Sequence, residues 1–233
     1  MGAQTTRRDQ VATDRRRAIL EGAARLIARR GVRGLRVEEL AAEADVSAAL
    51  IYYHFKNRAG ILLSTLEFIS DRAERYTAER NDPTKPSNPR RELEQSFLLE
   101  LQDLPEVREN SIAWGELRAS AVFDPALRGD LTKAGLTWVL EVAELLGGAH
   151  PTAPATALAA SAERLTSLLE GLSARWLSGV LSLKHARELM REAIAVETGQ
   201  LDDLRAAATP PSLTPGSPTL NARPSLTQRR QFD

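Results

Sequence analysis

The sequence predicts an all-α chain, and three observations carry that expectation. Apolar residues recur at three- and four-residue spacing in almost every periodic segment, and no run alternates as a half-buried strand would. Pro105, Pro125 and Pro154 stand where a first helical turn tolerates proline, and Ser182 stands where a helix cap belongs. The 233 residues are 42% hydrophobic and 27% charged, enough to bury a core in water.

Taken in order, helix one is predicted from Asp14 to Arg30, with Ile19, Ala23, Leu26 and Ile27 on one face and Gly31 at the left-handed cap. The preceding residues 1–13 read as a basic disordered arm; they lack the apolar stretch of a secretory signal. Helix two covers Val37 to Ala44, with Val37, Leu40, Ala41 and Ala44 at i, i+3, i+4 and i+7. After a break of three residues, Asp45-Val46-Ser47, Ser47 caps a short third helix through His54. A fourth helix starts near Asn57 and carries Ile61, Leu62, Leu66, Ile69, Ala73 and Tyr76 on one stripe. Asn81 to Arg91, rich in proline and polar residues, is a loop. Further helices are expected over 90–102, 105–121, 125–147, 154–181 and 183–206. From Thr209 the text is rich in proline and serine without apolar period, which predicts a disordered tail. The domains expected are therefore the arm 1–13, a helix-turn-helix unit 14–58, a helical unit 59–208 and the tail 209–233.

Several function classes drop out. No stretch approaches the roughly 18 uninterrupted apolar residues of a membrane span, so a cytoplasmic protein without membrane contact is expected. The chain has no cysteine, which removes disulfides, thiol nucleophiles and cysteine-type zinc sites. His54, His150 and His185 are too far apart to form a local ligand motif, and neither a metal nor a cofactor is expected. The net charge of zero hides an asymmetry: residues 1–58 hold twelve Arg and Lys against seven Asp and Glu. Such separation points the N-terminal quarter at a polyanion, although an ordinary solvated face would carry the same charge.

Helix, very short turn, helix within the first 55 residues is the pattern of a helix-turn-helix that reads DNA. Two steeply crossing helices need small residues where they touch, supplied by Ala41 and Ala44. Their seam needs apolar contacts, supplied by Leu40, Val46 and Ile51. The turn needs a residue tolerant of positive φ, and Asp45 meets that demand at modest cost.

The run from Arg16 to Leu63 resembles the N-terminal domain of the TetR family of bacterial transcriptional regulators. Gly31 and Gly34, Leu40 and Ala41, Val46-Ser47, Ile51-Tyr52, His54-Phe55, Lys56 and Arg58 carry the resemblance. Two positions depart from it: Asp45 replaces the usual turn glycine, and Arg58 stands where lysine is commoner. Trp114 to Leu131, WGELRASAVFDPALRGDL, together with the last two helices, is similar to the C-terminal domain of the choline-responsive BetI-like branch. A shared fold does not by itself transfer a ligand.

The start of helix three is expected in the major groove, where base edges can be told apart. Ser47, Ala48, Ala49 and Leu50, followed by Tyr53, offer no bidentate contact to guanine or adenine. Reading is therefore expected through thymine methyls, one or two hydroxyls and DNA shape, with phosphates supplying most of the affinity. Tyr53, His54, Lys56 and Arg58 are the phosphate candidates, and Val37 completes the DNA-binding set. Tyr52 and Phe55 are expected in the core, against helices one and four, as the resemblance implies. Arg7, Arg8, Arg15, Arg16 and Arg17 would track a groove or backbone, or form a solubilising leader.

The resemblance also implies a ligand cavity in the second unit. Trp114, Phe123 and Trp138 are its candidate wall, while aromatic residues at helical spacing are as readily ordinary core. An apolar or amphipathic small-molecule effector is expected. The stripes of the last two helices, with Leu165, Leu169, Trp176, Leu189, Met190 and Ala193, exceed what one chain buries. The resemblance implies their pairing with a twofold copy, hence a homodimer on a near-palindromic double-stranded operator. The function expected is a ligand-responsive homodimeric regulator, most often a repressor by family. An effector preferring the form with mis-spaced recognition helices by roughly four decades, or about 5.5 kcal/mol, would empty the operator. The alternative is a small-molecule enzyme or carrier with a vestigial helix-turn-helix, against which stands the lack of a nucleophile–base pair, carboxylate pair or phosphate loop.

Overall fold

A computed structural model describes residues 2–78 and 88–208. Among them every regular element is helical: α1 (Gly2–Arg30), a 3-10 turn Val32–Gly34, α2 (Val37–Glu43), α3 (Ala48–Phe55), α4 (Arg58–Ala78), α5 (Pro89–Leu99), α6 (Pro105–Ala121), a 3-10 turn Pro125–Leu127, α7 (Arg128–Ala149), α8 (Ala155–Leu177) and α9 (Leu183–Ala208). The loop expected after Asn81 falls almost wholly outside the described residues, as does the tail from Thr209.

Caps explain most boundaries. Ser47 Oγ accepts the Leu50 N–H at 3.2 Å and starts α3; Asn57 Oδ1 accepts the Gly60 N–H at 2.8 Å and starts α4. Asn88 and Ser182 do the same for α5 and α9, at 3.2 Å each. Pro105 opens α6 at its first helical position. Pro154 is instead the residue before α8. The expected start of helix one was the largest misplacement: α1 begins at Gly2, so residues expected as a disordered arm lie within a helix. Between Gly2 and Gly22 no proline or glycine interrupts the backbone, and nothing local ends the helix once it runs towards its N-terminus.

The molecule has two cores. The first joins α1, α2, α3 and α4 through Ile19, Ile27, Leu40, Ile51, Phe55, Ile61 and Ile69, and it also takes Ala113 and Leu117 from α6 and Leu127. The second joins α5, α7, α8 and α9 through Phe97, Leu146, Leu165, Leu169, Trp176 and Met190. Helices α4 and α6 complete the first core, so one face of the second unit is built into the N-terminal one.

Candidate nucleic-acid interface

The α2–turn–α3 motif forms as its residues dictate. Leu40 and Ile51 are fully buried, Ala41, Ala44 and Val46 pack beside them, and the Val46 N–H donates to the Ala41 carbonyl at 3.0 Å. Asp45 turns the chain at φ 52°, the left-handed conformation the motif requires. A second left-handed residue, Lys56 at φ 62°, joins α3 to α4 and was not signalled by the sequence. Gly60 closes that corner: a Cβ there would lie 2.2 Å from the Phe55 carbonyl oxygen.

On α3, Ile51 and Phe55, four residues apart, face the core. The opposite side presents Ser47, Ala49, Tyr52, Tyr53 and Lys56, all exposed, with Ala48, Leu50 and His54 partly buried at its edges. Tyr53 is the most open aromatic among the described residues, 81% exposed, and its ring meets His54 edge-on at 5.3 Å. Three expectations need correction. Tyr52 is not core but 48% exposed, because a helix of two turns has room for one buried stripe and Ile51 and Phe55 fill it. Val37 is a core residue at 9% exposure, so its side chain is not offered to DNA. Arg58, although exposed, commits its guanidinium to the Val32 carbonyl and, at 3.5 Å, to that of Leu35, so it ties α4 to the Val32–Gly34 turn.

The positive charge of this unit is partly spent internally. Arg25 and Arg29 both bond to Glu43, and Arg30 bonds to Glu39. Hydrogen bonds from Arg25 and then Arg29 hold the Glu43 carboxyl below its ordinary range. Arg15, Arg33, Arg36 and Lys56 stay exposed. Arg16 lies 5.4 Å from the centre of the Phe55 ring and donates to Ser64 Oγ at 3.3 Å.

Besides the shared core, a hydrogen bond joins α6 to the end of α1. Glu116 of α6 accepts the Val32 N–H at 3.1 Å, while Arg58 holds the Val32 carbonyl. Gly31 permits this approach twice over: its φ is +72°, and a Cβ would stand 2.7 Å from the Glu116 carboxylate.

The rings expected around a ligand do not share a space. Trp114 packs on the first core beneath Arg118, Trp138 packs on the second core 6.2 Å from Phe97, and Phe123 is 78% exposed in the corner after α6. Two open clefts lie elsewhere. One is lined by Arg91, Glu94, Gln95, Leu98, Leu99, Gln102 and Arg187; the other, between α5 and α7, by Pro89, Glu92, Glu141, Glu144, Leu145 and Gly148.

The residues expected at a dimer interface are also largely used within the chain. Leu165, Leu169, Trp176 and Met190 are buried in the second core, and Leu189 and Ala193 pack partly against it. The reason is that α8 and α9 turn their main apolar stripes to each other and to α5 and α7. Their outward faces carry Leu168, Val196 and Leu204 instead. Arg164 and Glu197 cross-link the two helices, with Nε to Oε1 at 2.7 Å, and the Arg164 hydrogen bond lowers the Glu197 pKa.

A three-helix unit with an exposed helix-turn-helix, seated on a second helical unit, defines a DNA-binding transcriptional regulator. Comparison with known proteins makes the class specific. Residues 19–65 match the family described as bacterial regulatory proteins, tetR family, and residues 89–199 match the BetI-type transcriptional repressor C-terminal domain. A structure described as a TetR-family transcriptional regulator from Rhodococcus sp. is 43% identical, with 80% of this chain and 99% of that one covered at a TM-score of 0.73. A regulator from Saccharomonospora viridis in complex with choline is 26% identical, covering 78% and 96%, at 0.67. The multidrug binding protein EbrR complexed with imidazole is 25% identical, covering 77% and 89%, at 0.55. No curated protein matches the chain. The chain belongs to the TetR family of transcriptional regulators. Among the described residues no helix is long and apolar enough to cross a membrane.

Proposed function

We propose that the chain acts as a homodimeric, effector-responsive repressor on a near-palindromic operator. The observation that carries this reading is the exposed, cation-flanked face of α3, an unpaired aromatic and polar surface on an otherwise well-packed helix. Ser47, Ala49 and Leu50 are proposed to read the major groove by shape and apolar contact, and Tyr53, His54 and Lys56 to hold phosphates. Tyr52, with its exposed hydroxyl-bearing ring, joins them, and Arg58 acts indirectly by fixing the corner from which α4 departs.

Two chains are proposed to pair through the outward faces of α8 and α9, with Leu168, Val196 and Leu204 as apolar anchors. Pairing would set the spacing of the two α3 helices, and Glu116 would pass a displacement of α6 to the Val32 turn. For the effector, the cleft between α5 and α7 sets Glu92, Glu141 and Glu144 beside Leu145 and Pro89, a lining suited to a small cationic amphiphile. The choline complex of the similar regulator from Saccharomonospora viridis favours that class.

Titration of the full chain into DNA flanking its own coding region tests the reading. The expected result is saturation at two chains per site, or two dimers where operators overlap, with random duplex competing poorly and choline weakening the complex. Competition by random duplex as strong as by the flanking DNA would remove the regulator reading. An unchanged complex at saturating choline would remove the cationic effector alone.

A further inference from the structure

The corner between α3 and α4 turns on a backbone conformation that a side chain disfavours. Lys56 stands at φ 62° and ψ −51°, and the Asn57 N–H donates across it to the Phe55 carbonyl at 2.7 Å. A bond from the third residue back to the first, around a centre near about +75° and −65°, is a γ-turn of the rare and strained hand. The other left-handed positions among the described residues carry less strain. Gly31 at φ 72° and Gly179 at φ 79° have no Cβ, and Asp45 at φ 52° is of a type that accepts such backbone. Glycine would hold the Lys56 turn freely, yet a lysine stands there.

The surroundings keep the turn closed. The Lys56 N–H donates to the Tyr52 carbonyl at 2.9 Å and completes the last turn of α3. The Phe55 ring is buried in the first core. Gly60 brings α4 so close that a Cβ would stand 2.2 Å from the Phe55 carbonyl oxygen, and Asn57 Oδ1 caps the Gly60 N–H at 2.8 Å. With Phe55 fixed on one side and Asn57 on the other, the strain falls on Lys56. The Lys56 side chain is exposed and takes no part in closing the turn. For a residue with a Cβ the open regions of backbone space lie far from this turn, so small excursions are barred and a large one breaks the bonds to Tyr52 or Phe55. Glycine has a broad basin here and would let the end of α3 rock against α4.

We infer that the Lys56 backbone is a positioning element for DNA binding, separate from any phosphate contact of its ammonium. The strained turn stiffens the corner and holds the last turn of α3, with Tyr53 and His54, in the orientation that meets the duplex. Some stability is given up for a preorganised reading helix. The inference rests on the proposed placement of α3 on DNA, and it assigns to the backbone a role that charge alone does not reveal.

The test compares full-length wild type with Lys56→Arg, Lys56→Ala and Lys56→Gly, each titrated with the flanking DNA and a random duplex across a salt series, with the thermal midpoint measured on the same samples. Lys56→Ala and Lys56→Gly lose the same charge, so their plots of log affinity against log salt should coincide in slope, shallower than wild type by about 0.9 per lost contact. Lys56→Arg, with charge and Cβ both present, should restore slope and affinity. The alanine and glycine variants should part elsewhere. Relief of strain should make the glycine variant melt about 2–4 °C above the alanine variant. It should nevertheless bind the flanking DNA roughly fivefold more weakly, because binding then has to order the corner, with a smaller difference on random duplex. A turn with a structural role alone would make affinity follow stability. Equal affinity of the alanine and glycine variants for the flanking DNA, or a glycine variant melting no higher than the alanine one, would overturn the inference while wild-type preference for that DNA stands. Equal wild-type affinity for the two duplexes would remove the operator reading, and the inference with it.

Discussion

At the scale of single residues, burial separates those that hold the domain together from those left for function. Tyr53, with 81% of its surface open, makes no contact that folding requires. Tyr53→Ala is therefore expected to leave the thermal midpoint unchanged and to weaken DNA binding by roughly tenfold, the worth of about one hydrogen bond, as a binding titration would read. Arg58→Ala should behave in the opposite way, losing about 1–2 kcal/mol of stability in a denaturant titration because the Val32 and Leu35 carbonyls lose their donor. The sequence had made these two residues equals. Charge and neighbourhood suggest a phosphate contact for both, and only the path of the chain through the Val32–Gly34 turn shows that one bonds to backbone carbonyls. Tyr52 failed for a related reason: periodicity names a buried stripe, but on a two-turn helix it does not say which flanking aromatic is left outside.

At the scale of elements, helix boundaries were legible wherever a side chain caps them, as at Ser47, Asn57 and Ser182, because capping is a local interaction. Pairing between elements was not legible, because it depends on contacts between residues far apart in sequence. Leu165, Leu169 and Met190 show this well: their stripes were visible, but whether α5 and α7 or a second copy would cover them was not. The α8–α9 contact is closed by Arg164 and Glu197, and the depressed pKa of Glu197 gives it a pH signature. A carboxyl whose pKa is lower folded than unfolded stabilises the fold above its unfolded pKa and loses that contribution as pH falls through the folded value. Thermal midpoints should thus fall on acidification below the ordinary carboxylate range, and Glu197→Gln should flatten that fall. Gly31→Ala tests the Glu116 contact. The added Cβ meets both a left-handed backbone and a carboxylate, so a loss of about 1–3 kcal/mol is expected by thermal denaturation.

At the scale of the whole molecule, the finding with most bearing on function is that α4 and α6 belong to the first core. A shift of α6 would disturb the first core on which the helix-turn-helix rests, since Ala113 and Leu117 are packed into that core and the Glu116 carboxylate holds the Val32 turn. Charge asymmetry points the N-terminal quarter of the chain at a polyanion, and it is silent on this joint. The proposed dimer follows from surfaces at the same scale. Leu168→Glu/Val196→Glu alters only exposed positions, so the chain should stay folded, sediment as a monomer and lose most of its operator affinity.

The most direct test of the central account, that the exposed face of α3 binds DNA, is equilibrium binding of wild type and Tyr53→Ala to the DNA beside the coding region, at matched salt and with the thermal midpoint measured on the same samples. The account predicts preference of the wild type for this DNA over random duplex, roughly tenfold weaker binding by the variant, and superimposable unfolding curves. Equal binding by the two proteins, or no preference for that DNA by either, would contradict it.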